Sequence, residues 1–159
     1  MRTRDIGTGL LAAFVVACAG LAHAQPANLK PLSTQDYIEI QQLYARYNHL
    51  IDSGDAEGWA NTFTPDGVFN NASRGHDALV QFVRDWRDRR NGKNLRHWNS
   101  NLVVTPTADG AAGSIYMFLL DVAKQPPQPT AAYLYDDVLV RTPAGWRFKS
   151  RTLHREDHP

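Results

Sequence analysis

Tyr47, Asp52 and His97 are three side chains that handle protons. Tyr47 precedes Asp52 by five positions, in Tyr-Asn-His-Leu-Ile-Asp-Ser-Gly, and His97 follows much later in Arg-His-Trp-Asn-Ser-Asn. Histidine has the unperturbed pKa nearest neutrality and is the commonest general base. A carboxylate beside it orients the ring and stabilises its charged form, while a phenol donates to a leaving hydroxyl or a developing enolate. Gathered in one pocket, the three run acid–base chemistry without a metal or cofactor. Locally, plainer readings stand beside this one. Asp52 also reads as a solvated cap of the next turn, and His97 as a structural or exposed strand residue.

A helix must carry the first two. Ser33-Thr34-Gln35-Asp36 fits a capping box. Tyr37, Ile40, Leu43, Tyr44, Tyr47, Leu50 and Ile51 then recur at steps of three and four, which predicts an amphipathic helix of about five turns. Ser53-Gly54 ends it, with Gly54 suited to the left-handed C-terminal position. Tyr44, Tyr47 and Ile51 share a face, and Asp52 lies one step round from it at the C-terminus. The macrodipole and burial there both tend to raise a carboxyl pKa, and a protonated His97 would oppose them.

Asp55 is placed to cap a short second helix running through Trp59 and Phe63. Thr64-Pro65-Asp66-Gly67 reads as a turn and Val68-Phe69 as a short strand. Gly75 to about Arg87 reads as a third helix, with Leu79, Phe82, Val83 and Trp86 on one face. From Leu95 the period becomes two. Strands are predicted over Leu95–Thr105, Ala112–Val122, Ala131–Arg141 and Trp146–Leu153, with a proline-rich loop over Lys124–Pro129. The tight turns imply antiparallel neighbours.

Alternation puts His97, Asn99 and Asn101 on one face, with Trp98, Ser100 and Leu102 on the other. Either Asp136 or Asp137 must point inward, and the pattern does not choose between them. Three helices followed by a meander is an α+β pattern. The helices bury their apolar faces by lying across one face of a strongly curved sheet, which makes a cone with an internal pocket. Pockets of this kind are lined mostly by apolar and aromatic side chains. Tyr44, Trp59, Asn99 and Tyr116 are the candidates for contacting a substrate in it.

The first 24 residues read as a cleavable signal peptide. Arg2 and Arg4 give a positive start, Gly9 to Ala22 is apolar, and Ala22-His23-Ala24 is a cleavage site before Gln25. The apolar run is short for a membrane span. Val15-Val16-Ala17-Cys18 also resembles a lipoprotein box, so a lipid anchor at Cys18 is the alternative to a free periplasmic or secreted protein. Residues 25–32 read as a linker, 33–154 as one domain and 155–159 as a tail.

Cys18 is the chain's one cysteine. Cleavage at Gln25 therefore leaves no thiol nucleophile or disulfide, which suits an oxidising compartment. The formal charge of +1 disappears with Arg2, Arg4 and Asp5, so nothing suggests nucleic acid as a partner. His154 and His158 lie in the tail, where a frayed end seldom holds a metal. There is no H-E-x-x-H, G-x-S-x-G, P-loop or dinucleotide fingerprint, and no metal site is expected.

Four stretches together resemble a known family: Ile40 to Asp66, Gly75-His76-Asp77-Ala78-Leu79, Arg96 to Val104, and Gly145-Trp146-Arg147-Phe148. The chain is similar to the SnoaL-like branch of the nuclear-transport-factor-2-like superfamily, over about residues 34–152. The resemblance implies a cone-shaped α+β barrel. In two dehydratases of that superfamily, a tyrosine and an aspartate from the first helix region work with a strand histidine. Asp52 and His97 match the last two. Tyr47 matches the tyrosine of bile acid 7-alpha-dehydratase. The second histidine of scytalone dehydratase is absent, since Tyr116 and Met117 stand nearest to its place.

The resemblance implies a cofactor-free lyase or isomerase acting on a small cyclic or polycyclic hydrophobic molecule, with Asp52, His97 and Tyr47 catalytic, and the signal peptide adds export, which argues against copying the relatives' own substrates. A non-catalytic ligand-binding module and an accessory subunit are the rival readings on the same fold. A homodimer is compatible with all three.

Overall fold

The computed structural model describes residues 29–155. The signal segment, Cys18, His158 and the end of the tail lie outside the described residues. Three helices come first: α1 (Thr34–Ser53), α2 (Ala56–Ala60) and α3 (His76–Arg89). Six strands accompany and follow them: β1 (Phe63–Phe69), β2 (Ser73–Arg74), β3 (Leu95–Pro106), β4 (Ala111–Asp121), β5 (Gln128–Thr142) and β6 (Gly145–Arg155). They form one curved sheet in the order β2-β1-β6-β5-β4-β3, open at both edges.

The start and end of α1 follow from its caps. Ser33 accepts from the Asp36 amide, and the Asp36 carboxylate accepts from the Ser33 amide in return. Asp36 also takes the indole N–H of Trp146 and pairs with Arg141, which ties the start of α1 to the β5–β6 hairpin. The hydrogen bonds from Ser33 hold the Asp36 carboxyl at about 2. At the other end Gly54 adopts φ 79°, a left-handed geometry that closes the helix. The helix buries Ile40, Leu43, Tyr44, Tyr47 and Ile51 against the sheet.

Between α1 and β3 the chain departs from expectation in two places. Helix α2, capped by the Asp55 side chain, stops at Ala60, and Phe63 begins a strand. The Thr64–Gly67 segment stays within that strand instead of turning. Strand β1 pairs in parallel with β6 across an irregular register, so the sheet is not a pure meander. This pairing brings Phe63 beside Phe148, and both rings pack into the aromatic core with Trp59, Tyr47 and Phe69. Long-range burial of aromatics has overridden the local Pro-Asp-Gly turn signal.

Bulges decide which side chains face inward. On β3 the register slips by one residue between Ser100 and Val103, and Asn101 takes φ 58°. An extra residue reverses alternation beyond it. His97 and Asn99 point inward as predicted. Leu102 and Val104 then turn toward the core, so Leu102 shares the side of His97 instead of the opposite face, while Asn101 leaves that side and is exposed. A second slip on β6, at Lys149, follows inward-facing Trp146 and Phe148. It carries Arg151 to the interior, where simple alternation would have placed Ser150.

Candidate active site

Helix α1 and strand β3 face each other across a cavity of about 760 Å³. From α1 it is lined by Tyr44, Asn48 and Asp52, spaced four apart and so stacked along one strip of the helix. From β3 it is lined by His97 and Asn99, and Ile115 of β4 lies on its wall. His49, which periodicity places on the polar side of α1, also lines it.

Asp52 and His97 meet at close range. His97 Nδ1 lies 2.6 Å from Asp52 Oδ1, and the His97 backbone N–H donates to Asp52 Oδ2 at 3.1 Å. One carboxylate thus grips both the ring and the main chain of the histidine. The His97 and Asp52 side chains are nearly buried, at 5% and 12% exposure. With Nδ1 committed to Asp52, Nε2 is the ring nitrogen left for chemistry. Asn48 donates to the His97 carbonyl, which pins the same residue from a third side. The Trp86 ring packs 5.3 Å from the imidazole, centroid to centroid.

Arg90 supports the carboxylate from behind. Its guanidinium donates to the carbonyls of Ile51 and Asp52 and lies 4.2 Å over Trp86. It therefore caps the end of α1, where free carbonyls would otherwise repel the Asp52 charge.

The other expected residues divide. Tyr44 and Asn99 line the cavity. Tyr47 does not: its side chain is fully buried among Trp59, Phe63, Tyr135 and Phe148, and no partner lies at bonding geometry from its hydroxyl. Burial pushes this phenol up to about 12, against the pull of nearby Arg151. Tyr47 is five residues from Asp52, one step round from the four-residue strip that faces β3. Trp59 is likewise sealed in the core, stacked on Phe82. Tyr116 faces away: it is 46% exposed on the outer side of β4, because Ile115 and Met117 on either side point inward.

Beside the cavity lies an ionic cluster centred on Arg151, which strand alternation does not reveal. Arg151 donates twice to Asp137, at 2.7 and 2.8 Å, and both side chains are fully buried. The aspartate that points inward is thus Asp137, while Asp136 pairs with His154 at the surface. The guanidinium sits within 5 Å of the rings of Tyr44, Tyr47, Tyr135 and Phe148. Burial works against its charge, but the paired Asp137 outweighs it and holds the guanidinium more firmly protonated than usual.

Tyr44 joins the cluster by donating its hydroxyl to Asp137. Burial and that carboxylate push the phenol well above its usual range. Room for the hydroxyl comes from Gly113, where a Cβ would stand 2.2 Å from Tyr44 Oη. The signal for Arg151 was its register partner, the inward aspartate of β5, but the bulge at Lys149 hid the pairing. Among the described residues, no three His, Cys, Asp or Glu side chains are grouped to hold a metal ion. No helix among them is long and apolar enough to cross a membrane.

Comparison with known proteins places this arrangement. Residues 33–152 match the model of the SnoaL-like domain. The uncharacterized protein Rv2910c of Mycobacterium tuberculosis is 31% identical over 73% of this chain and 82% of its own length. The structure of Aln2 from a Streptomyces species superposes with a TM-score of 0.73 at 30% identity, covering 80% of this chain and 96% of that one. An NTF2-like protein with a cystatin-like fold from Novosphingobium aromaticivorans gives a TM-score of 0.70 at 25% identity, covering 79% and 84%. The helices on a curved sheet, the cavity between α1 and β3 and this match over the whole domain lead to one assignment: the chain belongs to the SnoaL-like family, with the NTF2-like fold.

Proposed function

We propose that this protein is a cofactor-free lyase or isomerase that takes a proton from carbon next to a carbonyl in a small cyclic or polycyclic substrate. The observation that carries the reading is the Asp52–His97 pair on the cavity wall. Asp52 holds Nδ1 protonated, so Nε2 carries the lone pair that accepts the substrate proton. The carbanion electrons move into the carbonyl to give an enolate, and Asp52 stabilises the imidazolium formed at the same moment. In a dehydration the enolate then expels a β-hydroxyl, and the imidazolium returns its proton to the leaving oxygen as water. In an isomerisation the proton returns to a different carbon. One histidine serves both directions of proton transfer, so neither Tyr47 nor a second histidine is required.

The test is turnover of a panel of β-hydroxy-carbonyl compounds by wild type, His97→Ala and Asp52→Asn. Loss of the base is expected to lower the rate by about 10²–10⁴-fold. Equal turnover by all three proteins sinks the proposal. Export belongs to the same reading and is supported by the signal-like first 24 residues. Amino-terminal sequencing of the exported protein should begin at Gln25, whereas a blocked, lipidated Cys18 would favour the anchored form.

A further inference from the structure

The cavity wall is mixed, with Tyr44, Leu102 and Ile115 supplying apolar surface beside several polar groups. Gln41, Asn48, Asp52, His97, Asn99 and Ser100 all contribute to its wall. Among them Asn99 stands apart. It shares the inward face of β3 with His97, two residues on and before the bulge. Its Oδ1 and Nδ2 are both closed off from solvent and both lack a hydrogen-bond partner. Across the cavity, Asn48 Oδ1 is in the same state, its Nδ2 being committed to the His97 carbonyl.

Buried polar atoms are almost always paired, and leaving them unpaired costs free energy comparable to a lost hydrogen bond. A carboxamide presents an acceptor and a donor side by side on one planar edge. Its terminal torsion is soft, so a ligand can rotate the edge without moving the backbone. Two residues along a strand span about 7 Å, so a ring held at Asn99 extends toward His97 Nε2.

We propose that Asn99 selects the ligand of this cavity by reading a hydrogen-bond donor and an acceptor set next to each other. This rests on the cavity being the substrate site. The ligand class is a ring compound with such an edge, either a hydroxyl near a carbonyl or a cis-amide, in preference to one carrying the carbonyl alone.

The test is calorimetric binding in the His97→Ala background, where turnover does not interfere. One arm compares 2-quinolone with N-methyl-2-quinolone, which lacks the donor. The other compares 2-hydroxy-1-tetralone with 1-tetralone. The protein with Asn99 intact is expected to favour the complete edge in at least one arm by about tenfold or more, and the arm in which it does so identifies the edge. Asn99→Leu should erase that preference. Asn99→Asp, which is isosteric and keeps only acceptors, should lower affinity for the complete edge while preserving the fold by circular dichroism.

A preference that survives Asn99→Leu overturns the proposal. So does equal affinity within both pairs, or no binding of either complete-edge probe at millimolar concentration. Selection by Asn99 without turnover by wild type would leave this inference standing and remove the catalytic one.

Discussion

Two aspartates in this molecule are paired with nitrogen bases, and they have opposite fates. Asp52 meets His97 on the wall of a cavity. Asp137 meets Arg151 in the core, closed in by Tyr44, Tyr47, Tyr135 and Phe148. A guanidinium does not give up its proton in proteins, so the second pair is a fixed dipole that organises rings around it. An imidazole does exchange its proton near neutrality, so the first pair can do chemistry. The same carboxylate is therefore structural beside a guanidinium, and under the proposed function it serves proton transfer beside an imidazole on the cavity wall. Tyr44 spans both regions, since it lines the cavity and donates to Asp137.

The contrast is broken most severely at the core pair. Arg151→Met leaves Asp137 buried without its counter-charge and should cost about 3–5 kcal/mol in denaturant unfolding. A loss under about 1 kcal/mol would mean the pair contributes little to the fold. Gly113→Ala comes next. Its methyl meets Tyr44 Oη at 2.2 Å, so the phenol must leave Asp137 or the sheet must shift, at about 1–3 kcal/mol. An unchanged unfolding midpoint would show that Tyr44 is not held there.

Tyr47→Phe should have the smallest effect. It removes a buried hydroxyl without a bonded partner, so stability should change by less than about 1 kcal/mol and turnover should persist. Loss of activity on the scale of His97→Ala would return Tyr47 to the catalytic set. The same variant separates an alkaline effect. Tyr47 is pushed up to about 12 when folded, above the ordinary tyrosine value of 10.0. Its contribution is present below pH 10 and lost as pH rises toward 12. Tyr47→Phe should therefore lose less stability than wild type across that window in a pH series of melting curves.

Much of the frame was legible because it rests on local rules. The capping box at Ser33 and the left-handed Gly54 bound α1, and both are read from residue type at fixed spacing. Strand alternation put His97 and Asn99 on a common face, and the helical count placed Asp52 near the end of α1. Alternation failed where β3 and β6 each insert a residue. Leu102 and Arg151 both changed sides there, because a bulge shifts parity without any marker in the residue types themselves. Tyr47 was misplaced for a different reason. Its spacing from Asp52 matched a family pattern, yet the pitch of α1 turns it into the core while Tyr44, Asn48 and Asp52 share the cavity strip.

By itself, then, the sequence determined the bounds of α1 and the α+β class, and its family resemblance singled out Asp52 and His97 as candidates for one pocket. Capping, periodicity and turn chemistry act over a few residues, so they can be read one segment at a time. Only the tertiary structure decided that Asp52 grips both the ring and the amide of His97. It also decided that Asp137 rather than Asp136 is inside, and that Arg151 is its partner. Those outcomes depend on sheet register, and register is set by long-range packing of side chains against α1.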